Sequence, residues 1–253
     1  MRARLLRGFA ATALALAVVL PGTTQPAHAN PDGTNTSLIE MIDLALSLVG
    51  RVSSGAVTPA LLFQMTQDVI NAVDRSEAAV IAHIDAIASA DIRGATRSAV
   101  LEFGELNNME EDRLLDWVME VTGNAIRTST YLDAVSDLKA VDDIGYALIT
   151  IYPIALVARA RAGFSTTTTR TLFRNALQRL VDRLTPTCDT YLVDPRIPVI
   201  RIYECKVYGS HTAQYTEYNL NGTWDISGRA AVQAAASANT SRQVAIEVLN
   251  DLP

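Results

Sequence analysis

Apolar residues recur at helical spacing along most of this chain. Leu38, Ile39, Ile42, Ala45, Leu46 and Val49 line one face of a first helix. Ser37-x-x-Glu40 reads as its capping box and Gly50 as its stop. Thr58-Pro59 starts a second helix, with Thr at the N-cap and Pro at the first helical position. Leu61, Leu62, Met65, Val69 and Val73 form its stripe, and Val80, Ile81, Ile84 and Ile87 repeat the pattern after Ser76. Gly94 is read as a break or bend, with Ala95 to Phe103 continuing as helix. Leu114, Leu115, Val118, Met119 and Val121 give another stripe that Gly123 is expected to end, followed by separate helices over 125–138 and 141–161. Leu172, Phe173, Ala176, Leu177, Leu180, Val181 and Leu184 form the cleanest stripe, closed by Thr185-Pro186. Six or seven such segments on short connections predict a multi-helix bundle over 37–186.

Near residue 187 the period changes. Pro198 to Tyr208 and Thr212 to Leu220 alternate β-branched or aromatic residues with polar ones, as strands do. Asn221-Gly222 is a two-residue hairpin signal, with Thr223 to Ile226 as the return strand. Gly228 to Ala238 reads as an Ala-rich helix. Val244, Ile246 and Val248 alternate with Ala245 and Glu247, which favours a strand over 242–249, a helix being the alternative. The predicted class is mainly α, a helical bundle followed by a small disulfide-stapled antiparallel β (α+β) module over 187–253.

Residues 1–29 stand apart from this pattern. Arg2, Arg4 and Arg7 precede an apolar stretch from Phe9 to Leu20, and Ala27-His28-Ala29 fits the small-x-small cleavage rule with Asn30 as the mature start. That core is shorter than the roughly 20 residues of a membrane span. A cleaved signal peptide, a polar flexible start over 30–36 and a secreted product without a stable membrane anchor are therefore expected. The apolar run Ile144 to Ala158, 15 residues between Asp143 and Arg159, reads as a core helix.

The midpoint of the two cysteines, Cys188 and Cys205, falls between Arg196 and Ile197, beside Asp194-Pro195, a candidate hairpin turn. Paired strands would set them opposite each other, and an exported chain meets oxidising conditions, so a disulfide is expected. Closing a loop of 17 residues contributes about 3 kcal/mol by the loop-entropy model.

Charge narrows the partners. The chain has 21 basic and 27 acidic residues, and the leader carries three of the basic ones, leaving 18 against 27 and a net charge of −9 after cleavage. That disfavours nucleic acid and anionic membranes. Lys occurs only twice, at Lys139 and Lys206, while Arg and Ala are abundant. This codon bias suggests a GC-rich bacterial genome, an actinomycete in particular.

Candidate chemistry is sparse. His83 lies on an amphipathic helix and reads as a packing residue; His211 sits in a turn between Ser210 and Thr212. No zinc-ligand spacing, Gly-x-Ser-x-Gly elbow or phosphate-binding loop is present. Ser136-x-x-Lys139 occurs without the companion motifs of penicillin-binding enzymes. Glu110-Glu111 and Asp142-Asp143 fall in first turns of predicted helices, where the helix dipole favours acids. No catalytic, cofactor-binding or metal residue is assigned. The expectation is a secreted, non-enzymatic binding protein with an extracellular partner. A secreted hydrolase with an unrecognised site, or a pore-forming helical protein, is the alternative.

Overall fold

The structure is a computed structural model that describes residues 34–252 except residue 88. The proposed leader, with Ala27, Ala29 and Asn30, lies outside the described residues. The helices are α1 (Thr34–Ser53), α2 (Pro59–Asp85), α3 (Ala90–Phe103), α4 (Glu111–Ala134), α5 (Leu138–Arg161), α6 (Thr167–Arg183), α7 (Arg229–Ser237) and α8 (Ser241–Asp251), with a short 3-10 turn at Leu106–Asn108. The strands β1 (Thr187–Leu192), β2 (Ile200–Lys206), β3 (Thr212–Leu220) and β4 (Thr223–Trp224) form one antiparallel sheet in the order β1-β2-β3-β4. The protein is thus mainly α with a small β part, as the periodicity predicts.

Helix α5 is the axis of the bundle. Asp137 caps it, accepting from the Ala140 amide at 2.8 Å. Every residue from Val141 to Val157 is buried, because α1, α2, α3, α4, α6 and α8 pack around it. It is the one described helix long and apolar enough to cross a membrane, and 94% of that stretch is buried inside the protein. Gly145 makes the closest approach possible. A Cβ there would stand 2.2 Å from Ser241 Oγ and 2.8 Å from Leu180 Cδ1, so α8 could not seat against α5.

Several boundaries differ from the sequence reading, each for a packing reason. Helix α4 runs through Gly123 to Ala134, so no separate 125–138 helix forms. Leu114, Trp117, Val118, Val121, Ala125, Thr128 and Leu132 stay on one buried face across the glycine. That continuous burial outweighs the roughly 1 kcal/mol a mid-helix Gly costs. Arg183 then donates to the Leu132 and Val135 carbonyls at its C-terminal end. The break expected at Gly94 falls earlier, after Asp85, and Gly94 lies inside α3. Helix α1 starts at Thr34 rather than at Ser37, so residues 34–36 of the segment expected to be flexible are helical. Asn35 holds that turn, donating to the Ala238 carbonyl and accepting from the Tyr146 hydroxyl at 3.1 Å.

The largest correction concerns 242–249, which is helix α8 and not a strand. Val244, Ala245, Val248 and Leu252 are buried at helical spacing against α1, α5 and α6. The alternation of Val244, Ile246 and Val248 is a coincidence of one apolar residue on the helix flank.

The strands fall where alternation places them, except that β4 ends at Trp224. Cys188 and Cys205 face each other in the β1–β2 register and are bonded, with Cα atoms 4.1 Å apart. That spacing belongs to a non-hydrogen-bonded antiparallel pair. Asn221 (φ 55°) and Gly222 (φ 87°) make the β3–β4 turn, the left-handed pair that a two-residue hairpin requires. Tyr203, Cys205 and Ala213 pack with Val232 and Ala236 of α7 in a second, smaller core. The chain beyond Pro186 therefore serves two cores, with α7 covering the sheet and α8 completing the bundle.

Candidate functional site

Two places concentrate unusual side chains. They are the end of the sheet farthest from the disulfide and the seam between bundle and sheet.

The distal end of the sheet is made by the last residues of β1 and β3, the first of β2, β4, and the loops joining them. Leu192, Val193, Ile197 and Val199 are exposed on the β1–β2 side. Tyr218, Leu220 and Ile226 are exposed on the β3–β4 side, Leu220 at 65%. Register and loop hydrogen bonds bring them together. Ile200 pairs with Tyr218, the Val193 amide donates to the Ile200 carbonyl, and the Asn219 amide donates to the Val199 carbonyl at 2.9 Å. The exposure has a geometric cause. The nine-residue α7 is about 13 Å long, whereas the nine-residue β3 is about 30 Å. The helix covers only part of the Cys188 face, which leaves Leu192 exposed, whereas Tyr191, Val193, Tyr218 and Leu220 lie on the opposite face, away from α7.

The charges at this end are paired within the chain. Asp194 accepts from Arg196 through both the backbone amide, at 2.9 Å, and the guanidinium, at 2.8 Å. These bonds hold its carboxyl below the usual range. Glu217 is fully buried and accepts from Arg229 Nε and Arg201 Nε, each at 2.6 Å. Those bonds, Arg229's first, keep it ionised well below the ordinary carboxylate range. The same arginines lie over rings, Arg201 at 4.0 Å from the Trp224 centroid and Arg229 at 4.5 Å from that of Tyr203. Asp225 accepts from the Ser227 amide at 3.1 Å and the Tyr215 hydroxyl at 2.9 Å.

At the seam, Asp142 of α5 is buried and accepts from the Ser241 amide at 2.6 Å, the Ser241 hydroxyl at 2.7 Å and the Tyr208 hydroxyl. It supplies the side-chain cap for the first turn of α8, which its own N-cap residue Thr240 does not. Burial raises its pKa, and the bonds from Tyr208 and Ser241 offset part of that rise. Asp143 pairs with Lys139 at 2.7 Å. The His83 ring stacks on Tyr146 at 3.8 Å, and the His211 ring lies against Tyr208 at 4.5 Å. Burial lowers the His83 pKa, while Asp142 and Asp143 pull it back up.

The sequence treats His83, His211 and Asp142-Asp143 as unconnected. The structure brings them to one seam, and only the tertiary fold carries that information. Their bonding is nonetheless that of a clamp. Asp142 is spent on Tyr208 and Ser241, and among the described residues neither histidine is hydrogen-bonded to a serine hydroxyl. Ser136 lies in the connection before α5, not on a helix with Lys139, so the Ser-x-x-Lys match has no active-site geometry. Glu110 and Glu111 sit at the N-cap and first turn of α4, as the dipole argument expects, but α5 starts at Leu138, which puts Asp142 and Asp143 past its first turn. The described residues contain no group of three or more His, Cys, Asp or Glu able to hold a metal. One described groove, about 420 Å³, lies by Glu105, Met109 and Arg113, and another, about 290 Å³, by Arg170, Arg174 and Leu252. Neither takes in the seam residues.

No protein-family model matches the chain, and neither curated proteins nor solved structures gave a significant match.

Proposed function

We propose that this is an exported bacterial protein, made by an actinomycete, that acts by binding rather than by catalysis, with the distal end of the sheet as its contact surface. The observation that carries this reading is the clustering of exposed large apolar side chains. Eight of those on the described surface fall between Tyr191 and Ile226, at one end of one sheet. Those on the helices form smaller groups, with Phe63 on α2, Leu101 on α3 and three, Leu115, Met119 and Ile126, along one face of α4. A contiguous apolar patch marks an interaction site, whereas single exposed apolar residues need no explanation. The leader pattern and the disulfide support export.

The test is saturable binding of the labelled, disulfide-bonded mature protein to intact bacterial cells and isolated envelopes. Wild type and Met119→Ser should bind alike, and the double variant Val193→Ser/Leu220→Ser should lose binding while keeping its helical content. Wild type that does not bind, or a double variant that binds as well as wild type, overturns the reading.

A further inference from the structure

We propose that the distal end of the sheet docks reversibly on a zwitterionic phospholipid bilayer, with the β1–β2 loop and the β3–β4 hairpin entering the interfacial layer together. This rests on the reading that the distal end is the contact surface, and it names what that surface touches.

Three observations select a bilayer over a folded protein partner. The first is the shape of the apolar surface. Leu192 belongs to the sheet face that carries Cys188, while Tyr191 and Val193 belong to the opposite face. Ile197 and Val199 lie in the connecting loop, and Ile226 lies beyond β4. The apolar groups thus encircle the end. A protein partner docking on one face would leave half of them in water, whereas a fluid layer closes around all of them.

The second is charge. Asp194, Arg196, Arg201, Glu217, Asp225 and Arg229 are the charged residues at this end, three of each sign, and each is bonded inside the chain. Glu217 is buried behind its two arginines. The end therefore brings no net charge to the surface. A net charge of −9 on the mature chain disfavours an anionic lipid, so a headgroup of zero net charge is the one that fits. Arg196, 89% exposed and ion-paired with Asp194, matches such a headgroup charge for charge.

The third is backbone. Entering the interface is costly for bare amides and carbonyls. Both loops are tight and bonded internally. The Ile197 amide donates to the Asp194 carbonyl, the Ile200 amide to the Ile197 carbonyl, and the Asp225 amide to the Tyr218 carbonyl. Tyr191, Tyr218 and Trp224 stand two residues from the aliphatic tips Val193, Leu220 and Ile226, and amphipathic rings of this kind collect at membrane interfaces.

Flotation of the mature protein with phosphatidylcholine vesicles tests this. Wild type should float with the vesicles. Replacing a third of the lipid with phosphatidylglycerol should weaken binding, and brominated acyl chains should quench Trp224. Val193→Ser/Leu220→Ser should bind on the order of a hundredfold less, from two apolar side chains left outside the interface. Met119→Ser should bind as wild type does, and trapped dye should not leak, because α5 stays in its bundle. Wild type that stays with the unbound fraction, that binds only anionic vesicles, or that floats equally well as the double variant overturns the proposal. If phosphatidylcholine vesicles fail while the double variant still abolishes binding to protease-sensitive sites on cells, the lipid inference falls and the binding reading stands. If the double variant changes neither assay, both fall.

Discussion

The most apolar stretch of the chain and the most exposed apolar surface are different regions. Helix α5, which carries the run Ile144 to Ala158, is long and apolar enough to cross a membrane, yet that run is packed among six helices. Residues 191–226 are interrupted by Asp, Arg, Pro and Asn and look unremarkable in hydropathy, yet eight of their large apolar side chains face outward. Hydrophobicity along a chain measures demand for burial. Whether the demand is met depends on whether another element covers that surface, and α7 packs on one face of the sheet while Tyr191, Val193, Tyr218 and Leu220 lie on the other.

The strongest test of this contrast is a truncation inside the bundle. Leu148→Ala, at the centre of α5, should cost about 4 kcal/mol, near the upper part of the range for a large-to-small change, because rigid neighbours surround the cavity. Urea denaturation gives the value. A cost below about 1 kcal/mol would mean that α5 is not tightly enclosed.

Next in size is Glu217→Gln, which tests the joint between α7 and the sheet. It leaves Arg201 and Arg229 without their anion and should cost about 3 kcal/mol. The acid dependence carries the sign. The folded-state pKa of Glu217 lies below its unfolded value, so its stabilisation is complete above that unfolded value and is lost as pH falls through the folded one. Asp142 is raised on folding, so its contribution runs the other way and grows as pH falls towards its unfolded value. Glu217→Gln should therefore flatten the acid loss of stability seen in wild type, and Asp142→Asn should steepen it. A parallel shift of both acid profiles would refute the assignment.

These two sites also separate what sequence alone reveals from what it hides. The Cys188–Cys205 pairing is legible because a hairpin turn between equidistant positions dictates its register. The turn at Asn221-Gly222 is legible because few residue pairs tolerate two positive φ angles. Most helices are legible from a stripe that local spacing alone defines. Helix α8 is not, since five alternating residues satisfy both periods and the deciding fact is the groove between α1, α5 and α6 into which Val244 and Val248 fit. The Asp142–Ser241–Tyr208 clamp joins residues 99 and 66 positions apart, and no spacing rule reaches that far. The exposed end of the sheet is hidden for the opposite reason. Alternation identifies which residues share a face, but not which face a helix covers.

Smaller still is the staple. Reducing Cys188–Cys205, or replacing both residues with Ser, should cost about 2–3 kcal/mol by the loop-entropy model. The loss should concentrate in the sheet. Hydrogen exchange should quicken across β1 and β2 and leave α5 unchanged, since the bond ties two strands that pack on α7. Equal loss of protection in α5 would show that the two cores unfold as one.

The smallest effect on stability belongs to the region with the largest proposed part in function. Val193→Ser/Leu220→Ser removes apolar groups that meet mainly water in the folded protein, so folding does not depend on burying them. The change in stability should stay within about 0.5 kcal/mol for each residue. Retention on a hydrophobic-interaction column should fall all the same, because the column reads the apolar surface that remains on the folded molecule. Leu148→Ala should do the reverse, with a large loss of stability and little change in retention while the protein remains folded. If the distal double variant instead destabilises the protein by more than about 2 kcal/mol, its side chains are contributing to a core. The contrast between a buried apolar helix and an exposed apolar sheet end would then be lost, and the proposed contact surface with it.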